Sequence, residues 1–173
     1  MFPEEFTDYL VEYHGSRDYF ECHEILEEFW KETDPGNKNS HWVGFILLAV
    51  SAYHHRRQNI AGAQKTMQKS LEILKQTDEA VISGLGIHYD CLISTLKESL
   101  RNIQKGEAYA SIHLPVEDPA LLAACKEKCR LNGYGWDTIA PISDDIVHKH
   151  LRRDRSEVIN ERNRQKELRS SKQ

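Results

Sequence analysis

The segment D-Y-F-E-C-H-E-I-L-E-E-F-W, residues 18–30, carries the helical spacing that most clearly predicts the fold of this chain. Successive residues of a helix are rotated by about 100°, so side chains three or four positions apart share a face. One face of this stretch gathers mainly apolar side chains: Tyr19, Cys22, Leu26, Phe29 and Trp30. His23 and Glu27 fall inside the same arc, whereas Glu24 falls on the opposite face. The stretch therefore predicts an amphipathic helix whose buried side carries an imidazole and a carboxylate.

The carboxylate of Glu27 requires partners in such a setting. A buried carboxylate must be paired, hydrogen-bonded or metal-bound, because otherwise its pKa rises until it is neutral. His23 lies four residues earlier, at the spacing that lets helix side chains touch. We expect a second partner for Glu27 from the element that covers this face.

That covering element is predicted to be the run W-V-G-F-I-L-L-A-V-S-A-Y-H-H-R-R, residues 42–57. Its first turns are apolar nearly all the way round, which is typical of a buried central helix. The run ends in two adjacent histidines, His54 and His55. Periodicity does not decide which of them faces His23 and Glu27.

These two segments resemble the helical family called domain of unknown function 309 (DUF309), most closely its members in bacilli. The resemblance rests on H-E-I-L-E-E-F-W at residues 23–30 and on five later positions: Ala52, His54, Asn59, Gly62 and Ala63. Matching residues support the resemblance over roughly the first half of the chain. Over the second half, the chain resembles the family only in overall length and in the order of its segments. The resemblance implies an all-α fold and no particular activity. With His55 added from the doublet, the candidate polar site comprises six residues: His23, Glu24, Glu27, Trp30, His54 and His55.

Two features of the chain depart from the family pattern. A glycine commonly precedes the asparagine, where this chain has Gln58. Polar residues often occupy central-helix positions that are held here by Val43 and Leu47. The resemblance therefore does not imply that a polar pocket is fully retained.

The remaining sequence predicts one all-α domain, an antiparallel bundle of about six or seven helices, since 173 residues suit a single core. We place the bundle at residues 1–142 and a basic C-terminal helix or tail, which packs on the bundle or extends from it, at 143–173. Helix starts are predicted at Asp18, at Asn39 or Ser40, and at the pair Asp118–Pro119.

Charge and composition limit the partners. Residues 1–148 carry 14 Lys and Arg against 23 Asp and Glu, whereas residues 149–173 carry 9 against 4. A basic tail on an acidic body can fold back, associate with another copy as a homo-oligomer, or bind a polyanion. Its arginines suit nucleic-acid phosphates, but interleaved acids and the lack of aromatics argue against a dedicated nucleic-acid surface.

The location is predicted to be cytoplasmic. No apolar run reaches the roughly 18 residues of a membrane span, and the acidic N-terminus lacks the basic region of a secretory signal. The four cysteines form no C-x-x-C pair, so reduced thiols are the simplest interpretation.

Two functions remain open. The first is a helical binding or interaction module, with a protein or other partner that the sequence does not name and with a His/Glu site between two core helices. The alternative is a metal-dependent enzyme of the hydrolase type, in which His23, Glu27 and His54 hold a divalent metal such as zinc, iron or manganese. The string H-E-x-x-E differs at its last residue from the zinc-protease motif H-E-x-x-H.

Overall fold

The computed structural model describes residues 2–138, 142–152, 163–164 and 166–168 and shows an all-α bundle in them. Within these ranges the helices are α1 (Glu4–Val11), α2 (Tyr19–Thr33), α3 (His41–Arg56), α4 (Ile60–Gln76), α5 (Glu79–Gly84), α6 (Tyr89–Gln104), α7 (Pro119–Leu131), α8 (Asp144–Val147) and α9 (Lys149–Arg152). A π-helical turn, Glu12–Ser16, follows α1 directly. Six of these α-helices have eight or more residues, which confirms the predicted fold class. None of the described helices has both the length and the apolar character that a bilayer crossing requires.

The helices begin where side chains satisfy the free backbone N–H groups of the first turn. Asp18 Oδ1 accepts from the N–H of Glu21 at 3.0 Å, which starts α2. Asp118 does the same for α7, with Pro119 as the first helical residue. Ser40, rather than Asn39, caps α3 by accepting from the N–H of Trp42 at 3.3 Å.

Helix α3 lies at the centre of the bundle and packs against both α2 and α4. Its side chains Phe45, Leu48 and Ala49 are completely buried. Two serine hydroxyls join α3 to α4: Ser51 donates to the carbonyl of Ala63 at 2.8 Å, and Ser70 donates to that of Gly44 at 2.7 Å. The predicted central helix is therefore observed, with ten of its sixteen residues buried, and α3 forms one wall of any site against α2.

The beginning of the basic C-terminal region packs on the bundle. Lys149 Nζ lies 2.7 Å from Asp18 Oδ2 and 3.2 Å from Glu21 Oε2. Asp18 thus caps α2 with one oxygen and binds α9 with the other. This contact fits a tail that folds back on the acidic body. The domain boundary at residue 142 stays a prediction, and most residues on which the nucleic-acid prediction depends lie outside the described ranges.

Gln58, immediately after the last turn of α3, has φ +64°, in the left-handed region. This is the position where the family pattern commonly has glycine, which adopts that conformation without a steric cost. We expect Gln58→Gly to raise the free energy of unfolding by about 0.5–1 kcal/mol, because relief of the left-handed strain exceeds the extra chain entropy of glycine.

The matched control is Gln68→Gly, which changes an exposed glutamine inside α4. It should lower the free energy of unfolding by about 1 kcal/mol, since glycine is a poor helix former. Urea denaturation of the two variants should therefore shift the midpoint in opposite directions. Equal destabilisation by both would contradict the strain at position 58.

Candidate functional site

His23 and Glu27 form a contact pair on α2. Their Nε2 and Oε2 atoms are 2.7 Å apart, and the side chains are 27% and 33% exposed. The pair thus lies at the margin of the core rather than deep inside it. A carboxylate that accepts from Nε2–H fixes a ring proton on that nitrogen.

The second partner of Glu27 differs from the one expected. Lys31 Nζ lies 2.6 Å from Glu27 Oε1. The expectation that the covering element supplies this group was wrong, because a long lysine side chain one turn further along α2 reaches the half-exposed carboxylate. Burial would raise the pKa of Glu27, but the hydrogen bonds and charges of Lys31 and His23 outweigh it and lower the pKa. Glu27 is therefore ionised at neutral pH.

The tertiary structure separates the two histidines at the end of α3. His54 lines the same cavity as His23. His55 is buried elsewhere: its Nε2 lies 2.8 Å from the carbonyl oxygen of Glu107, and its ring meets the ring of Tyr109 edge-on at 5.9 Å. His54 is therefore the member of the doublet that lies across from His23.

The proton of His54 can be assigned from its neighbour Asn59. Asn59 caps α4 with Oδ1, which accepts from the N–H of Gly62 at 3.1 Å. Its amide nitrogen consequently faces His54 and donates to Nδ1 at 3.1 Å. Burial, and then the charge of Arg57, lower the pKa of His54, so the ring is neutral at pH 7. The proton is on Nε2, which can donate a hydrogen bond.

The cavity between α2, α3 and α9 has a volume of about 200 Å³. Its walls combine aromatic and aliphatic carbon with three imidazoles, and the lining residues are Tyr19, Phe20, His23, Val50, Tyr53, His54 and His150. The Nδ1 atom of His23 is buried and has no hydrogen-bond partner among the described residues. The cavity therefore offers a mostly apolar space beside one imidazole nitrogen that has no partner in the described part of the chain.

His150 of α9 completes the cavity, and sequence reasoning did not single it out. Tyr53 Oη hydrogen-bonds to its Nδ1, and Arg57 Nη1 lies 3.1 Å from its Nε2. The guanidinium of Arg57 also lies over the Tyr53 ring, 5.2 Å from its centroid. His150 is close to α3 only in space, so no local spacing in the sequence could have found it.

Comparison with known proteins places the chain in a family. Residues 6–66 match the family described as "Domain of unknown function (DUF309)". A relative from Bacillus subtilis (strain 168), described as "Uncharacterized protein YpuF", is 45% identical over 170 residues, 98% of this chain and 97% of the relative. This chain belongs to the DUF309 family. The resemblance found in the sequence is thereby confirmed. No solved structure matches the chain.

The DUF309 match spans α2 and α3, which supply all the lining residues of the cavity except His150. Four residues of the predicted polar site do not line it: Glu24, Glu27, Trp30 and His55. Trp30 donates from Nε1 to the carbonyl of Asn37 at 3.0 Å and so holds the loop between α2 and α3. Glu24 is half-buried on α2.

The metal set predicted for this DUF309 chain, His23, Glu27 and His54, stays a prediction. In the described part of the chain, the ligand atoms of these three residues do not all lie within 4.8 Å of one another. The ammonium group of Lys31, 2.6 Å from Glu27, also occupies one carboxylate oxygen with a positive charge. A cation at Glu27 would have to displace it.

Proposed function

We propose that this DUF309 protein is a small-molecule binding protein that holds a planar, single-ring ligand in the cavity between α2, α3 and α9. One observation carries the proposal: a cavity of about 200 Å³ in which an apolar wall meets three imidazoles. A cavity of about 150 Å³ is enough to bind benzene in another protein, so one ring with one or two substituents fits the volume.

The polar groups define the ligand further. His23 donates from Nε2 to Glu27, which leaves its buried Nδ1 as an acceptor for a ligand O–H or N–H. His54, neutral and protonated on Nε2, supplies a donor for a ligand carbonyl or carboxylate. A ring that carries a hydroxyl or amide N–H and also an oxygen acceptor satisfies both histidines.

The proposal includes three predictions made from the sequence: a cytoplasmic location, a dimer or other homo-oligomer, and a protein partner of unknown identity. The alternative function is a metal-dependent hydrolase built on His23, Glu27 and His54, and it predicts that the purified protein contains bound metal. Stoichiometric metal that disappears in His23→Ala would favour that alternative.

The proposal is tested by nuclear magnetic resonance titration of the full chain with 4-hydroxybenzamide, which has a hydroxyl at one end and an amide at the other. We expect saturable shifts of backbone signals around Tyr53 and His54, with a dissociation constant of roughly millimolar order for so small a probe. Val50→Trp fills the cavity and should weaken binding by about tenfold or more.

The matched control is Val81→Trp, because Val81 is an exposed valine of α5. It should leave the titration unchanged. Val50→Phe serves as a second cavity variant if the tryptophan lowers the Tm of the protein. Shifts that do not saturate, or that are the same in the wild type and both cavity variants, would refute the proposed binding site.

A further inference from the structure

A second cluster of chemically active side chains lies away from the cavity. It comprises His14, His113 and Asp137, and one ligand atom from each lies within 4.8 Å of the other two. His14 Nδ1 is 2.6 Å from Asp137 Oδ1, and His113 Nδ1 is 3.1 Å from Asp137 Oδ2. Two imidazoles therefore converge on the two oxygens of one carboxylate.

His14 is the fixed member of this cluster. It lies in the π-helical turn between α1 and α2, a type of helix distortion that occurs frequently at functional sites. Its side chain is 1% exposed and stacks on the indole of Trp136, with ring centroids 4.2 Å apart and planes 16° apart. This stacking holds the ring plane and so fixes the direction in which Nδ1 points.

Asp137 is held toward His14 by its backbone as well as by its side chain. Its φ is +55°, in the left-handed region that is uncommon for residues other than glycine. Its N–H donates to the carbonyl of His14 at 2.9 Å. The cost of this backbone conformation is offset by contacts that bring the carboxylate onto the histidine.

His113 contacts the other oxygen of Asp137 from the loop between α6 and α7, and its side chain is 64% exposed. An exposed histidine gains little from an ion pair with a carboxylate, because water screens the interaction. The same exposure leaves one side of the cluster open, where water molecules can complete the coordination of an ion.

We propose that His14, His113 and Asp137 bind one divalent transition-metal ion, for which Zn²⁺ is the probe. Two imidazoles and one carboxylate are the donor set that such ions take in open sites, with metal–ligand bonds of about 2.0–2.2 Å. Ligand atoms around such an ion are about 3 Å apart or slightly more, so the 2.6 Å contact must open by roughly half an ångström.

Coordination changes the position of a proton on both imidazole rings, since His14 and His113 each donate from Nδ1 to Asp137. Asp137 now accepts from Nδ1–H of His14, and an ion at Nδ1 requires that proton on Nε2 instead. Nε2 is buried and has no partner among the described residues, so the bound state carries an unpaired N–H. That cost limits the affinity, and we expect a dissociation constant of roughly micromolar order. The ion would tie the π-helical turn, the α6–α7 loop and the segment after α7 together.

The test uses full-length protein without a histidine tag, freed of metal with a chelator and titrated with Zn²⁺ by calorimetry. We expect one ion per chain and a raised Tm on binding. His113→Ala and Asp137→Asn should each weaken binding by about tenfold or more. Because His113 is exposed, its alanine variant should keep the Tm of the metal-free wild type.

His23→Ala is the matched control, since it removes a histidine from the cavity and leaves this cluster intact. It should bind Zn²⁺ as the wild type does. Wild-type affinity in both His113→Ala and Asp137→Asn, or no stoichiometric binding by the wild type, would overturn the proposal. Loss of binding in His23→Ala alone would assign the ion to the cavity instead. The 4-hydroxybenzamide titration measures binding in the cavity, whereas the Zn²⁺ titration measures binding at this cluster. Either proposal can therefore fail without the other.

Discussion

Leu48→Ala is expected to lower the free energy of unfolding by about 2–5 kcal/mol, the range observed when a buried leucine is truncated. Leu48 is completely buried in α3, the helix that packs against both α2 and α4. Its truncation removes contacts on the central element and leaves a void that rigid neighbours close only in part. Chemical denaturation monitored by circular dichroism measures the change.

The control is Leu131→Ala, because Leu131 is also helical but 67% exposed. That change should stay within about 0.5 kcal/mol of the wild type. If both leucines gave the same small effect, α3 would not be the central helix. A large effect of Leu48→Ala should also reduce ligand binding in the cavity, since α3 supplies Val50, Tyr53 and His54.

Gly44→Val is expected to cost about 3 kcal/mol, because it overpacks the closest approach of α3 and α4. A Cβ at Gly44 would lie 2.7 Å from Cγ and 2.8 Å from Cδ2 of Leu74, which is itself completely buried. Valine forms helix somewhat better than glycine, by about half a kcal/mol, and this gain is smaller than the steric cost. Urea denaturation gives the difference.

Two further variants separate the steric effect from helix propensity. Gly84→Val places the same side chain where a Cβ has nothing within 4 Å, and it should be nearly neutral. Leu74→Ala makes room beside position 44, so the double variant Gly44→Val, Leu74→Ala should lose less stability than the sum of the single changes. Strict additivity would show that the two side chains do not compete for space.

Local patterns in the amino-acid sequence were enough to predict the fold class and the principal helices. Apolar spacing at 3.6 residues per turn identified α2 and the nearly all-apolar α3, and capping residues such as Asp18 and Asp118 marked where helices begin. These patterns involve residues only a few positions apart, so they can be recognised without knowledge of the tertiary structure. The i, i+4 spacing also identified the contact between His23 and Glu27.

Local spacing did not identify the second partner of Glu27. Lys31 lies one turn further along α2, and its side chain is long and flexible enough to reach the carboxylate of Glu27. The choice between His54 and His55 also required the structure, since adjacent positions on α3 both continue apolar lines.

The side chains that meet across the bundle could be identified from the three-dimensional packing alone. His150 reaches the cavity from α9, and His14, His113 and Asp137 come together from three separate segments. Contacts between residues far apart in sequence depend on how whole helices pack and where loops end, and no periodic pattern in a single segment records them. The local patterns therefore specified the principal helices and the contact between His23 and Glu27, whereas helix packing decided which residues line the cavity and assembled the whole of the proposed metal site.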